Sequence, residues 1–369
     1  MRNCKLNRNE LSNQCNQNQR YVGVLSYFPP VGGGISQLSK SLCDCLEKNH
    51  IPVHKMQRAV LPTRRSWGLI STILGKGFLQ QFKIMLMFLR SFKKCRIYHV
   101  LSFSYLGFLP TVVATLMCKI TGKNLVIAYH GGKGEEFLGR WGRIAKKFLQ
   151  RADLLIVAST FLKDVFQNHG LKAVKVLDVY PQTEFFFKKR NVFEPRFIMT
   201  RALEKIYRHD CALLAYTQVK ETFPNASLTI VGTGSLESML RKIVRDLNID
   251  DVTFVGYVDH KEMQRYYDES DIYLNPTYPD NVSPSVLEAF ACGLPVVSAK
   301  GPGVRELIED RVTGLFFENG NYNAMAQCMI EIVEDNLLGK RITENAHKKW
   351  ELHSCKSVAP IYRKIYCGD

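Results

Sequence analysis

Short apolar runs alternate with longer amphipathic segments along most of the chain. In the first half, runs typical of buried strands lie at 21–27, 97–101, 125–129, 154–157 and 174–177. In the second half, similar runs lie at 197–200, 228–231, 253–255, 272–275 and 296–297. Segments with helical periodicity, such as 35–48, separate these runs. Strands that alternate with helices are typical of parallel sheets, so the sequence predicts an α/β protein.

The alternation occurs in two series, which predicts two domains. At 369 residues the chain is long enough for two hydrophobic cores. A charged, irregular segment near 192–196 separates the two series and is the predicted hinge. We expect an N-terminal domain over 21–191, a C-terminal domain over 192–350 and a final helix within 351–369. Residues 1–20 are polar and rich in Asn, which predicts a disordered tail.

The formal net charge of +16 is concentrated in one stretch of the chain. Positions 64–151 hold 16 Lys and Arg residues against two acids. The same stretch carries apolar residues, several at helical spacing, namely Trp67, Phe78, Phe82, Met85, Leu86, Leu89 and Phe92. A second patch at 137–149 repeats the mixture of basic, aromatic and aliphatic residues.

Basic residues beside apolar ones suit an interfacial helix on anionic lipid. A helix that buries its apolar stripe in the core would show a similar pattern. That alternative does not explain why 64–130 contains no Asp or Glu. We therefore predict that the basic stretch 64–151 contacts an anionic membrane surface.

Other readings of a basic, cysteine-containing chain fit less well. No zinc-finger, RNP or helix-turn-helix signature accompanies the charge, so no nucleic-acid partner is predicted. Residues 105–120 are apolar, but they are too short for a membrane span and contain Pro110, so they predict a buried helix. The 11 cysteines are scattered, and the close pair Cys43 and Cys45 has the wrong spacing for a zinc knuckle or a redox CxxC motif. Unpaired thiols and the lack of an N-terminal apolar signal favour a reducing, cytoplasmic location.

The segment 280–298, DNVSPSVLEAFACGLPVVS, is the most informative motif. It predicts a loop, a short helix, a Gly-Pro break and a buried strand. Free backbone N–H groups at the start of such a helix can hold an anion. Asp280 stands at the loop and Glu288 about two turns along the helix, on roughly the same side. An anion site beside two carboxylates that can accept hydrogen bonds from hydroxyl groups suits a sugar nucleotide.

Glycines follow several predicted strands and allow the backbone to approach a ligand. The turn 32–34 follows the first strand, and Gly131 with Gly132 follows the strand that ends before His130. In the second series, Gly232 and Gly234 follow the strand at 228–231. The GxGxxG spacing of dinucleotide sites is absent, which counts against an NAD enzyme.

The segment 280–298 resembles the acidic-x7-Glu signature of retaining nucleotide-sugar glycosyltransferases, the glycosyl transferases group 1 of GT-B architecture. In that family the first acid is usually Glu, whereas here it is Asp280. The turns at 232–234 and 301–306 resemble further segments of the same family. The resemblance implies two Rossmann-like domains that face a central cleft, with the C-terminal helix crossing back to the N-terminal domain.

The resemblance also implies roles for individual residues. His130 would lie close to the donor sugar and the reacting centre. Arg201 and Lys205 would face the diphosphate, Glu288 would accept the ribose hydroxyls, and Asp280 would position the donor sugar. Further donor-binding positions implied by the family are Gly32, Gly33, Gly34, Gly232, Gly234, Tyr257, Asn281, Val282, Ser283, Pro284 and Ser285. For His130 a satisfied core histidine is the alternative, and for Lys205 a surface ion pair.

The predicted function is that of a retaining hexosyltransferase. It would move a sugar from a nucleotide-sugar donor, such as a UDP- or GDP-sugar, to a lipid-linked or cell-envelope glycan acceptor at the cytoplasmic face of the membrane. No metal and no other cofactor are predicted. A non-catalytic partner subunit and a sugar-nucleotide epimerase of the same fold remain the alternatives.

Overall fold

A computed structural model describes residues 21–29, 34–58, 69–178, 185–279 and 282–368, with side chains outside 69–78. The chain divides into two compact units. The first contains the described residues up to Ala158, Leu162–Val176 and the residues from Ala359 onward. The second contains Ser159–Phe161 and Leu177–Val358. The predicted functional domain boundaries stay predictions.

The first unit is built on a six-stranded sheet in the order β2-β1-β3-β4-β5-β6. All of its neighbouring strands are parallel. The chain runs from β1 outward to β2 and then returns to the other side of β1, so the order reverses between β1 and β3. The strands are β1 (Tyr21–Ser26), β2 (Val53–Gln57), β3 (Cys95–Ser102), β4 (Asn124–Tyr129), β5 (Leu154–Val157) and β6 (Val174–Lys175).

Among the described residues of this unit, five helices follow in sequence and a sixth comes from the C-terminus. They are α1 (Gly34–Lys48), α2 (Leu69–Ser91), α3 (Leu109–Thr121), α4 (Gly134–Leu149), α5 (Thr160–Asn168) and α12 (Cys355–Cys367). The Tyr366 hydroxyl lies 2.7 Å from Nδ1 of the buried His99 on β3. This contact confirms that the final helix packs on the first sheet.

The second unit has a six-stranded parallel sheet in the order β12-β11-β10-β7-β8-β9. The order reverses between β7 and β10, as in a Rossmann sheet. The strands are β7 (Arg196–Met199), β8 (Ser227–Val231), β9 (Val252–Gly256), β10 (Ile272–Asn275), β11 (Val296–Ala299) and β12 (Leu315–Phe317). The helices are α6 (His209–Thr222), α7 (Glu237–Asp246), α8 (Met263–Asp268), α9 (Pro284–Cys292), α10 (Tyr322–Glu334) and α11 (Asn336–Glu351). The predicted fold class is confirmed.

Residues 105–120 differ from the single buried helix that we predicted. A 3-10 turn, Tyr105–Phe108, comes first, and α3 begins after it with Pro110 in its first turn. Pro has no N–H to donate and is tolerated at that position. Leu106 is 80% exposed and Ile120 is 77% exposed, so the segment buries only one face.

The cysteines depart in part from the expectation of unpaired thiols. Cys45 and Cys355 are disulfide-bonded, so the expectation is wrong for these two. Free thiols are present at Cys43, Cys95, Cys118, Cys211, Cys292, Cys328 and Cys367. Burial raises the pKa of the Cys43 thiol to about 12, which leaves it protonated and unreactive at neutral pH.

Within the described part of the chain, no helix combines the length and the apolar character that crossing a bilayer requires.

Candidate donor site

The candidate site lies at the carboxyl edge of the second sheet, where the strand order reverses. Open α/β sheets bind ligands at this kind of position. Thr200 and Arg201 directly follow β7, and β10 ends at Asn275. The Asn275 amide donates to the Ser298 hydroxyl at 3.0 Å and accepts from the Thr277 hydroxyl at 2.9 Å. All three side chains are buried, so the ends of β10 and β11 are tied together by satisfied polar groups.

Helix α9 begins at this edge and leaves N–H groups available. Ser283 is its N-cap, but the Ser283 side chain makes no capping hydrogen bond. Pro284 occupies the first turn and has no N–H. The amides of Ser285 and Val286 lack acceptors within the helix, since the first helical bond runs from the Leu287 N–H to the Ser283 carbonyl. This helix start can therefore bind an anion through its amides and dipole.

Glu288, one turn farther along α9, has each carboxylate oxygen held by a different donor. Oε1 lies 3.1 Å from Nε2 of His260, and Oε2 accepts from the Tyr267 hydroxyl at 2.7 Å. The Glu288 side chain is 15% exposed. Burial raises the pKa of Tyr267 well above its usual value, with the Glu288 charge as a further cause, so its phenol keeps its proton.

A chain of hydroxyl groups leads from Glu288 toward the start of α9. The Thr200 hydroxyl lies 3.0 Å from that of Tyr267 and 3.3 Å from that of Tyr273. Tyr273 is buried, which raises its pKa, and a hydrogen bond from Ser285 acts in the opposite direction. The carboxylate and the helix start thus share one connected polar network.

Arg201 brings positive charge to the same edge. Its guanidinium carbon lies 4.7 Å from the centroid of the Tyr207 ring. Its charge acts to lower the pKa of Tyr273, whose hydroxyl belongs to the network. His209 is buried beside it, and burial together with the Arg201 charge lowers the pKa of His209 to about 4. His209 is therefore neutral at pH 7 and adds no charge of its own.

The turn at Gly232 and Gly234 packs directly on the backbone that carries Arg201. A Cβ atom at Gly232, where φ is +138°, would lie 2.4 Å from the Arg201 carbonyl oxygen. A Cβ atom at Gly234 would lie 2.4 Å from the Leu203 carbonyl oxygen. These glycines allow close packing of two backbone segments.

Other predicted donor-binding residues lie around this edge in different surroundings. Lys205 is exposed and begins the 3-10 turn Lys205–Tyr207. The Ile206 carbonyl accepts from the Tyr278 N–H at 3.2 Å, so this turn contacts the loop that precedes α9. Val282 is half-buried, and Tyr257 follows β9 with an exposed ring. Asp280 and Asn281 lie outside the described residues.

In the first unit, His130 follows β4 at the carboxyl edge of the first sheet. It is half-buried, and its N–H donates to the Ser102 carbonyl at 2.9 Å. A Cβ atom at the next residue, Gly131, would lie 2.6 Å from the hydroxyl oxygens of Ser104 and Tyr129. Gly34 is exposed as the first residue of α1, whereas Gly32 and Gly33 lie outside the described residues.

Sequence reasoning missed four residues of the network, namely His260, Tyr267, Thr200 and Tyr273. None of them belongs to a motif that names it, and each reaches Glu288 or its partners only through the fold. Among the described residues, no group of three or more His, Cys, Asp or Glu side chains could hold a metal ion.

Residues 182–349 match the profile of a family described as Glycosyl transferases group 1. The match to the glycosyl transferases group 1 profile covers this part of the chain, which is a little under half of its length. The matched region contains Arg201, Glu288 and the helix start that the geometry brings together. The predicted family is thereby confirmed.

Named relatives match this chain over shorter segments. One is the amylovoran biosynthesis glycosyltransferase AmsK of Erwinia amylovora, 36% identical over 111 residues, which are 28% of this chain and 27% of AmsK. Another is a GDP-mannose-dependent monoacylated alpha-(1-6)-phosphatidylinositol monomannoside mannosyltransferase of Corynebacterium glutamicum, 30% identical over 34% of each chain. The alignments therefore span only about a quarter to a third of these relatives.

A solved structure extends the likeness in fold to nearly the whole chain. HepE of Anabaena, in complex with UDP and glucose, superposes with a TM-score of 0.72 at 16% sequence identity. The match covers 95% of this chain and all of HepE. At this identity the likeness concerns the fold, which is the GT-B fold that the sequence predicts.

Proposed function

We propose that this protein transfers a hexose from a nucleotide-sugar donor to an acceptor hydroxyl, with retention at the anomeric carbon. The observation that carries the proposal is the arrangement of Glu288, the start of α9 and Arg201 at one edge of the second sheet. The carboxylate can accept hydrogen bonds from hydroxyl groups, and the guanidinium and the positive end of the helix dipole can bind an anion. HepE binds UDP and glucose with the same fold, which supports a donor of this class.

The chemistry that we propose follows from the charges at this edge. When the bond to the anomeric carbon breaks, negative charge develops on the diphosphate leaving group. The Arg201 cation and the amide dipoles at the start of α9 are already in place, so they can stabilise this negative charge without rearranging during the reaction. Glu288 binds the ribose, and Asp280 and His130 keep the roles that the family resemblance implies. The proposed reaction needs no metal ion, because Arg201 and the helix start supply the positive charge.

A nucleotide-binding screen tests the donor site. We expect one of the UDP-, GDP-, ADP- or CDP-sugars, at 100 times its Kd, to stabilise the protein by about 2.7 kcal/mol. Glu288→Gln should weaken that binding about 10–100-fold, because a hydrogen bond to a charged group contributes about 1.5–3 kcal/mol. Thermal shift and calorimetry would measure both effects.

The exposed Glu351 on α11 offers a matched control. Glu351→Gln removes the same charge elsewhere in the second unit and should leave nucleotide binding unchanged. Equal loss in both variants, or no response of the parent protein to any donor, would contradict the proposal.

We propose a lipid-linked or envelope glycan acceptor, reached while the protein lies on the cytoplasmic face of a membrane. The support comes from apolar side chains that remain exposed beside basic ones. On α4, Trp141 is 52% exposed and Ile144 is 53% exposed. They line a surface cavity of about 690 Å³ together with Arg140 and Arg143. On α2, exposed apolar side chains include Leu79, Phe82 and Leu89.

These exposed apolar side chains are unlike a core-facing stripe with a polar back. The buried face of α2 contains Ile84 and Phe88, whereas Phe82 and Leu89 point elsewhere and neighbour the exposed Lys83 and Arg90. Apolar side chains that enter the headgroup region, with basic ones beside them, suit anionic lipid. The named relative from Corynebacterium glutamicum acts on a phosphatidylinositol mannoside, which also supports a lipid acceptor.

Vesicle binding tests the proposed membrane surface. We expect the protein to sediment with phosphatidylglycerol vesicles at low salt, less so as salt rises, and not with phosphatidylcholine vesicles. The double variant Trp141→Ser, Ile144→Ser should bind about 30-fold more weakly, since each exposed side chain contributes ~1 kcal/mol of burial.

Leu337 and Leu352 are exposed apolar residues of the second unit. Leu337→Ser, Leu352→Ser is therefore the control and should bind like the parent. Binding that is equally strong to neutral vesicles, or insensitive to the α4 variant, would overturn the proposed surface.

A further inference from the structure

We infer that His260 is a positioning residue that orients Glu288 for a ribose 2′,3′-diol, so that the site distinguishes ribonucleotides from 2′-deoxyribonucleotides. The inference rests on the proposed nucleotide-sugar donor. His260 begins a 3-10 turn, His260–Glu262, shortly after β9. The Asp259 carboxylate accepts from the Lys261 N–H at 3.0 Å and fixes this turn.

The two donors to Glu288 bind different oxygens, which determines what the carboxylate can still accept. His260 Nε2 lies 3.1 Å from Oε1, and the Tyr267 hydroxyl donates to Oε2 at 2.7 Å. A carboxylate has about four acceptor positions, two on each oxygen. One position on each oxygen therefore remains for a ligand. Two adjacent acceptors on a fixed plane match the two adjacent hydroxyl groups of a ribose.

One aromatic ring holds both donors in place. Phe185 is buried and meets the His260 ring edge-on at 5.0 Å between centroids, and the Tyr267 ring edge-on at 5.7 Å. The next residue, Phe186, exchanges two backbone hydrogen bonds with the Gln264 side chain at 2.8 and 3.1 Å. The imidazole and the phenol are thus preorganised before any ligand arrives, which favours binding of a rigid diol.

His260 is the better of the two donors to test by substitution. Tyr267 is fully buried and also contacts Thr200, so its removal would disturb the core. The His260 side chain is 15% exposed and belongs to a surface turn, so its replacement should disturb the core less. His260→Gln can keep an N–H donor near the position of Nε2, whereas His260→Leu keeps the bulk and removes the donor.

The experiment compares UDP with 2′-deoxy-UDP, and GDP with 2′-deoxy-GDP, by calorimetry. We expect the parent protein to bind its preferred ribonucleotide at least tenfold more tightly than the deoxy form. His260→Leu should weaken the ribonucleotide about tenfold and leave the deoxynucleotide unchanged, so that the discrimination disappears. His260→Gln should retain most of the discrimination, and Glu262→Gln, in the same exposed turn, should retain all of it.

Three outcomes would overturn the inference while leaving the proposed function intact. The parent could bind both nucleotides equally, His260→Leu could keep the discrimination, or it could weaken both nucleotides by the same factor. The last result is what a purely structural role of His260 predicts. Failure of the parent to bind any ribonucleotide would instead remove the proposed donor site itself.

Discussion

We expect Arg201→Met to lower the rate of the proposed sugar transfer about 10²–10³-fold, which corresponds to ~2.7–4 kcal/mol of transition-state stabilisation. The reason is the charge that develops on the diphosphate as the sugar departs. Arg201 follows β7 at the edge of the sheet where the start of α9 also lies. Its planar donors suit phosphate oxygens, so Arg201→Lys should recover only part of the rate.

Steady-state kinetics with the donor found in the nucleotide screen measures this effect. The loss should fall mainly on kcat, because the charge is greatest in the transition state. Arg241 is a matched control, since its guanidinium carbon also lies over an aromatic ring, 4.5 Å from the centroid of Phe254. Arg241→Met should leave kcat within a factor of two or so. An unchanged kcat in Arg201→Met would show that the charge is stabilised by other groups.

We expect Arg190→Met to lower the free energy of unfolding of the second unit by about 3–5 kcal/mol. Arg190 is buried, and its Nε lies 3.2 Å from Oδ1 of the buried Asp271. Its guanidinium also donates to the backbone carbonyls of Lys188, Tyr267, Ser270, Cys292 and Gly293. Met fills much of the volume but leaves these acceptors without a donor.

Urea denaturation followed by tryptophan fluorescence and circular dichroism measures the loss. Arg245, exposed in the last turn of α7, provides the control, and Arg245→Met should change the free energy of unfolding by less than about 0.5 kcal/mol. Asp271 keeps a second partner, Arg196, whose Nε lies 2.6 Å from Oδ2. A loss below about 1 kcal/mol for Arg190→Met would mean that Arg196 and water replace the buried guanidinium.

The periodicity of the sequence is sufficient to locate most strands, because parallel strands buried on both faces are continuous apolar runs. Strands at 154–157 and 272–275 have the predicted bounds. The edge strand β2 is missed because its sequence, VHKMQ, is half polar. An edge strand has one neighbour and less burial, so its apolar signal is weak.

The sequence predicts the part of the candidate site that lies within one motif, but not the part that comes from other segments of the chain. Glu288 and the start of α9 lie within one contiguous motif, so the sequence alone brings them together. His260 and Tyr267 meet Glu288 from a different segment, 28 and 21 residues earlier. When two polar residues come together only because distant segments fold against each other, their spacing in the sequence does not predict the contact.

The segment before β7 illustrates a different limit. Its charged residues and lack of periodicity predicted a hinge, since such composition is typical of exposed linkers. The hinge near 192–196 stays a prediction, but Arg190, just before it, is buried among backbone carbonyls of the second unit. Charge counts from sequence do not reveal whether a guanidinium has enough acceptors to be buried.

The hydroxyl chain beside Glu288 has a fixed polarity. A carboxylate oxygen can only accept hydrogen bonds, so the Tyr267 hydroxyl must donate its proton to Glu288. Thr200 must then donate to Tyr267, and Tyr273 must donate to Thr200, which leaves Tyr273 to accept from Ser285. Each hydroxyl group in this row therefore donates its proton in the direction of the Glu288 carboxylate and away from the start of α9. An anion at that helix would therefore be bound by amide protons and a guanidinium. The Ser285 hydroxyl would not donate to it, because its proton is already donated to Tyr273.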